Sequence, residues 1–373
     1  MVQNRPAEIG MALEDVDTPA LVVDLDIYER NLDRMATLIE ASGKKLRPHA
    51  KMHKTPSVAL DQIKRGAVGV CCQKISEAEC MVEGGIGDVL ITNEIVSKAK
   101  LKRVAQLAHK AKIGICVDNK NATLALNEEC AAENVTIRVL VEIDVGGHRC
   151  GVVSPNDALN LARIIVNASH LNFGGLQAYH GSAQHKRTAA ERLDAVDGAA
   201  NIVCATVEAL KADGINCDIV TGGGTGTLKH DITYKQWDEL QCGSYAFMDA
   251  DYAKNQLTDN EWGTGFEHSF FILTQVMSDC QPNMVVCDAG LKAVASDSGN
   301  PTIAEYEHLS YRMTSDEHGC VDLTLKDKIG LGDRLMLIPG HCDPNVNLYD
   351  WIVGMRGGVV EKIWTVSARG ALS

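Results

Sequence analysis

Short apolar runs rich in β-branched residues recur along the chain, each followed by a stretch whose apolar positions repeat at helical spacing. The runs fall at 45–50, 67–72, 88–92, 112–117, 136–143, 171–178, 217–221 and 239–245. The helical stretches fall at 57–64, 77–83, 96–109, 121–134, 155–167, 189–212 and, briefly, 234–237. A helix over 27–41, with Leu32, Met35, Leu38 and Ile39 on one face, follows an isolated early strand, ALVVD, at 20–24. Strand then helix, joined by short polar connections, implies parallel strands linked by crossovers. Eight such repeats in roughly two hundred residues match a closed (β/α)8 TIM barrel. An open doubly wound sheet carries a glycine-rich turn after its first strand, whereas here that strand ends in RPHAK. The barrel is therefore placed at 18–266. From 267 to 373 the runs (269–277, 284–288, 322–325, 334–338 and 359–365) are separated by turns, which predicts a mostly antiparallel β domain. The early strand precedes the first barrel helix, leaving residues 1–25 free to pack with that second domain.

Composition narrows the class. The chain has 373 residues, 45% apolar and 23% charged, with a net charge of −13, the mix of a globular protein. No basic block stands out, which argues against nucleic acid or an anionic membrane as partner. No run reaches the roughly 18–20 apolar residues of a membrane span. Residues 1–15 lack the basic and apolar regions of a secretory signal, so a cytoplasmic location is expected. The 13 cysteines are odd in number and form no C-x-x-C pair. They are expected to be mostly free, buried thiols in a reducing compartment.

In a barrel, chemistry gathers at the carboxyl ends of the strands. Those ends carry Lys51 and His53, Gln73, Asn93, Asp118, Asp144 and Arg149, then Tyr179, His180 and His185, then 222–225 and 243–245. If the first strand stays extended, Arg47, His49 and Lys51 share a face. Desolvation in the barrel mouth would then lower the Lys51 pKa and make its amine a nucleophile; a solvated loop lysine is equally compatible. TGGGTGT (221–227) reads as a phosphate cradle of backbone N–H groups or as an ordinary tight loop. In extended geometry His341 and Asp343 would share a face and could reach one divalent cation; on spacing alone a turn histidine beside a capping aspartate is the more frequent arrangement.

The chain resembles the fold-type III pyridoxal-phosphate enzymes, and within them the D-threonine aldolase and 3-hydroxy-D-aspartate aldolase family. The matching stretches are DTPALVVDLD (17–26), RPHAKMHK (47–54), GVCCQKISEAE (69–79), VEIDVGGHRCGV (141–152) and GLQAYHGSAQH (175–185). They continue with TGGGTGT, ELQCGSYAFMDADY (239–252), DAGLKA (288–293), DEHG (316–319), PGHCDP (339–344) and VSARG (366–370). The resemblance implies a Schiff base between Lys51 and pyridoxal 5'-phosphate, with Arg149 at the pyridine nitrogen. It implies cofactor contacts from Gln73, Tyr179, Thr221, Gly223, Gly224, Thr225, Gly243, Ser244 and Tyr245. His341 and Asp343 are implied to hold a divalent metal (Mn2+, Mg2+ or similar), and Tyr179 and His185 to line the substrate side, His185 as general base. The implied reaction is cleavage of a D-3-hydroxy amino acid to glycine and an aldehyde, by a homodimer. A D-serine or D-threo-3-hydroxyaspartate dehydratase is disfavoured, because such relatives resemble His-x-Cys rather than His-x-Asp. A non-enzymatic single-barrel carrier is disfavoured by the second domain. A substrate carrying a second carboxylate would want a further cation, for which His180 and Arg312 are the candidates.

Overall fold

The computed structural model describes residues 5–258 and 260–373. Eight parallel strands curl into a TIM-like barrel: β2 (Lys45–Leu46), β3 (Val70–Cys72), β4 (Asp88–Ile91), β5 (Lys112–Val117), β6 (Ile137–Glu142), β7 (Leu171–Ala178), β8 (Ile219–Gly222) and β9 (Glu239–Leu240). Each pairs with its sequence neighbour from β3 to β9, and β9 returns to β2. The seam between β2 and β3 is looser, held by Val68 N–H to Leu46 O and Cys71 N–H to Pro48 O, both 2.9 Å. The physical cause is local: Pro48 has no N–H to give a ladder.

Two expected strands are therefore shorter than their apolar runs. The first leaves the sheet near Arg47 and becomes a 3-10 turn at Ala50–Met52. The eighth stops at Leu240 and turns likewise at Ser244–Ala246. These early exits place Lys51 and Ser244 on turns at the barrel mouth. The brief helix expected at 234–237 is absent; a helical turn stands instead at Leu228–Asp231. Trp237 is buried there, its Nε1–H donating to Ala178 O at 3.3 Å.

Alternation along the strands separates two faces. Val70, Val89, Ile91, Ile113, Ile115, Val139 and Val141 join the main core, while Cys71, Leu90, Cys116 and Leu140 form a cluster of their own, the packed barrel interior. Below it lies a buried ionic layer, in which Arg47 reaches Glu239 at 2.9 Å and Asp88 at 2.7 Å. All 13 cysteines are unpaired, and 8 of them are buried. Among the described residues no helix is long and apolar enough to cross a membrane.

Beyond the barrel lies a mostly antiparallel sheet. Its long strand β12 (Phe270–Gln281) pairs with β13 (Met284–Cys287) and β17 (Arg334–Ile338), and β18 (Trp351–Arg356) pairs with β19 (Val359–Thr365). Strand β1 (Ala20–Asp24) lies between β12 and β18, antiparallel to the first and parallel to the second. The sequence pattern missed β18 because its residues are buried on both faces, which erases the period-2 alternation. Of the expected 322–325 strand only Asp322 is extended, ending Gly319–Asp322.

The second domain roofs the barrel mouth. Ala250 and Asp251 N–H donate to Pro339 O (2.9 Å) and Gly340 O (3.1 Å), and Asp249 Oδ2 accepts Cys342 N–H at 3.1 Å. The chain at 339–343 is thereby pinned over Lys51.

Candidate active site

Lys51 sits in the 3-10 turn that follows β2, its N–H donating to His49 Nδ1 at 3.3 Å. Its ammonium forms an ion pair with Asp343 across the domain boundary. The sequence expectation of a lowered lysine pKa is corrected here. Burial does push it down, but the Asp343 charge, helped by Tyr179, outweighs burial and holds it above its ordinary value. His49 beneath it is kept neutral by burial and by the Lys51 charge, and its Nε2 lies 2.9 Å from Gln73 Nε2 and 3.2 Å from Thr92 Oγ1.

Around this amine opens a pocket of about 570 Å³. Lys51, Gln73, Arg149, Tyr179, Gly224, Thr225, Gly243, Ser244 and Asp343 all line it, so most of the residues singled out from the sequence converge. The glycines belong there for a steric reason: a Cβ at Gly243 would stand 2.8 Å from His49 O, and one at Gly224 would collide with the Gln184 carboxamide. Arg149 stands 5.7 Å from the Tyr179 ring centre and 3.9 Å from Glu142. Burial and the neighbouring Glu94 raise the Glu142 pKa to about 9.

Three expected contacts do not reach the pocket. Thr221 turns into the barrel, where its hydroxyl donates to Glu239 Oε1 at 3.0 Å. Gly223 is backed by Asp231. Tyr245 points outward, its Oη accepting from Gln62 Nε2 at 3.1 Å, and only its N–H faces Thr225 Oγ1 (3.2 Å). The loop N–H groups of Gly224, Gly226 and Thr227 are also engaged, by Asp231 and by Gln184. Among the described residues, the N–H groups of Thr225, Gly243 and Ser244 have no hydrogen-bond partner.

The stretch does not stay extended through Asp343 as expected: His341 is extended and precedes the short helix Cys342–Val346, and Asp343 lies in that helix's first turn. The pair still meets, His341 Nε2 standing 3.5 Å from Asp343 Oδ1, while His341 Nδ1 contacts Asp297 Oδ2 at 2.9 Å. Burial pushes the His341 pKa down, but Asp343 and Asp297 together lift it to about 9. Another grouping, Glu94, Asp118 and Cys150, has ligand atoms within 4.8 Å of one another.

His185 lines an adjoining pocket that shares Arg149 and Tyr179 with the first. Its Nδ1 lies 2.6 Å from Asp251 Oδ2, and its ring stacks on Tyr252. Asp251 and Asp297 were not anticipated, because neither stands at a strand end. His180 lies off both pockets, half-buried, with burial and Lys186 lowering its pKa. Arg312 is exposed and paired with Asp322, away from the site.

His53 is wholly buried, with Nδ1 accepting Thr55 N–H at 3.0 Å, and burial pushes its pKa down to about 3. The unfolded chain takes up this proton near pH 6.5 and the folded one does not until about pH 3. Stability should therefore fall as pH drops through that window, by up to about 1.4 kcal/mol per unit from this group. Urea midpoints measured against pH should show a shallower slope in His53→Gln; an unchanged slope would exclude His53 as a source.

A barrel of this kind, with a lysine at the end of its first strand and a second β domain over its mouth, defines the alanine-racemase-type fold. Residues 23–251 match the family "Alanine racemase, N-terminal domain", and residues 269–355 the "Putative serine dehydratase domain". The chain is 46% identical to a D-threonine aldolase of Arthrobacter sp. over 98% of its own length and 96% of the relative's. It is 43% identical to a 3-hydroxy-D-aspartate aldolase of Paracoccus denitrificans (strain Pd 1222), over 98% and 95% respectively. The crystal structure of D-threonine aldolase from Filomicrobium marinum superposes with a TM-score of 0.96 at 45% identity, covering 100% of both chains. The chain belongs to the D-threonine aldolase and 3-hydroxy-D-aspartate aldolase family of carbon–carbon lyases.

Proposed function

We propose that the protein is a pyridoxal-phosphate- and divalent-metal-dependent aldolase. Its substrates are D-3-hydroxy amino acids of the D-threonine and D-allo-threonine type, cleaved to glycine and an aldehyde. The observation that carries this reading is the meeting of the Lys51 amine and the His341–Asp343 pair across the domain boundary.

The residues present fit the cofactor. Lys51 would bind its aldehyde carbon, Arg149 would face its ring nitrogen, and Tyr179 and Gln73 would flank it. The unpartnered N–H groups of Thr225, Gly243 and Ser244 suit a phosphate. The metal fits as well: His341 Nε2 and Asp343 would hold it, with Asp297 fixing the imidazole from behind, as carboxylates do around metal-binding histidines. When bound, the cofactor supplies an electron sink for the pair left at Cα, and a divalent ion acidifies the 3-hydroxyl.

The chain's own residues do the rest. His185 accepts the 3-hydroxyl proton as general base. Arg149, always charged, would donate an N–H to the ring nitrogen while keeping its own proton, so that nitrogen stays unprotonated. Tyr179 spans both pockets and orients the substrate between Lys51 and His185. Free cysteines throughout support a cytoplasmic location; a homodimer follows the family resemblance, and Mn2+, Mg2+ or a similar divalent ion suits the imidazole–carboxylate pair.

The 43% relative favours a second reading within the same chemistry, 3-hydroxy-D-aspartate cleaved to glycine and glyoxylate. A second substrate carboxylate needs a cation. Arg312 is committed to Asp322 and His180 is disfavoured in its charged form, so the threonine type is preferred. With D-threonine the expected products are glycine and acetaldehyde; 2-oxobutanoate would mean dehydration instead. A higher kcat/KM on D-3-hydroxyaspartate would select the second reading.

A further inference from the structure

Asp251, in the DADY stretch, has a side chain 10% exposed and clamped from several sides. Arg187 forms an ion pair with it, and the same guanidinium donates to Asp251 O and to Asn255 Oδ1, both 2.8 Å. The helical turn Ala250–Ala253 holds its backbone, and its N–H is fixed on Gly340 O, one residue before His341. His185, by contrast, is 49% exposed on a short 3-10 turn, Ser182–His185. Two contacts fix its ring: the Tyr252 face, 5.5 Å between centroids, and Asp251 Oδ2, 2.6 Å from Nδ1. Its Nε2 has no partner among the described residues.

Stacking alone permits the ring to turn in its own plane and does not choose between the two neutral tautomers. A buried carboxylate at Nδ1 does both, because it accepts a hydrogen bond and demands the proton on that nitrogen. We infer that Asp251 is the positioning residue for His185, holding the proton on Nδ1 so that Nε2 is the basic nitrogen offered to the substrate hydroxyl. This rests on the reading of His185 as general base. Arg187 keeps Asp251 ionised and in place, so His185, Asp251 and Arg187 form one unit. Because Asp251 also ties to Gly340, the base and the proposed metal pair share a single backbone support.

The test uses the cofactor- and Mn2+-loaded enzyme with D-threonine. Asp251→Asn preserves size but offers an amide with no preference for the Nδ1–H tautomer. Its kcat should fall about 10–100-fold, with KM and the visible cofactor absorbance unchanged. His185→Ala should lose about 10²–10⁴-fold, and adding Asp251→Asn to it should cost nothing more, since the two act as a unit. Asp251→Glu keeps the charge and the Arg187 pair; it should keep the wild-type melting temperature while losing kcat severalfold, and it carries the test if the Asn variant melts early. Wild-type kcat in the Glu variant, or losses that multiply in the double variant, would overturn the positioning role and leave the base assignment standing. Full activity in His185→Ala would remove the base assignment and this inference with it.

Discussion

Lys51→Ala is expected to abolish both the visible absorbance of the bound cofactor and the cleavage of D-threonine, the latter by more than about 10³-fold. Among the described residues Lys51 is the one primary amine lining the pocket, and alanine leaves no amine to bind an aldehyde carbon. Lys54, three residues on in the same RPHAKMHK stretch, is the control. Its side chain turns into the wall, with Nζ 3.0 Å from Glu77 Oε1 and 3.4 Å from Ala368 O. Lys54→Ala should keep the absorbance band and lower the melting temperature, because a buried carboxylate loses its partner. A band surviving in Lys51→Ala but lost in Lys54→Ala would transfer the cofactor to Lys54. Spectra after reconstitution, together with aldehyde release, decide between them.

Asp343→Asn should separate metal from cofactor. The amide is a weaker ligand for a hard cation, so stimulation by Mn2+ should disappear and kcat fall about 10²–10³-fold. That loss corresponds to several kcal/mol of Lewis-acid stabilisation, at about 1.4 kcal/mol per decade. The cofactor absorbance should persist, since none of the groups proposed for phosphate or ring contact changes. A second effect follows from the ion pair: the Asp343 charge holds Lys51 above its ordinary pKa. Removing that charge should let the amine deprotonate at lower pH, so cofactor uptake by the apo-protein should begin at lower pH than in wild type. Loss of the absorbance would instead make Asp343 a support for Lys51 rather than a metal ligand.

The site is partly legible in the sequence. Lys51, Gln73, Arg149 and Tyr179 follow barrel strands into the mouth, where a barrel gathers its chemistry, and periodicity finds the strands even where it overruns their ends. Thr221, Gly223 and Tyr245 belonged to matching motifs but not to the pocket. A motif records that a stretch is near the site, whereas the side to which each residue turns depends on where the strand stops, and β9 stops at Leu240. Asp297 carried no signal and Asp251 only its place in a matching stretch, because one carboxylate among 49 acidic residues looks like another until a histidine is seen beside it.

Local patterning was enough to specify the eight βα units and the change to turn-linked strands near residue 267, and it offered the lysine, glycine loop and His-x-Asp pair as candidate places for chemistry. Those features depend on neighbours a few residues apart, which a linear chain displays. The fold alone decided that β1 inserts between β12 and β18, that Asp343 crosses 292 positions of sequence to meet Lys51, and that Asp251 stands behind His185. Each joins segments far apart in the chain, and such pairings are set by which surfaces must be buried together rather than by any periodicity that either segment carries.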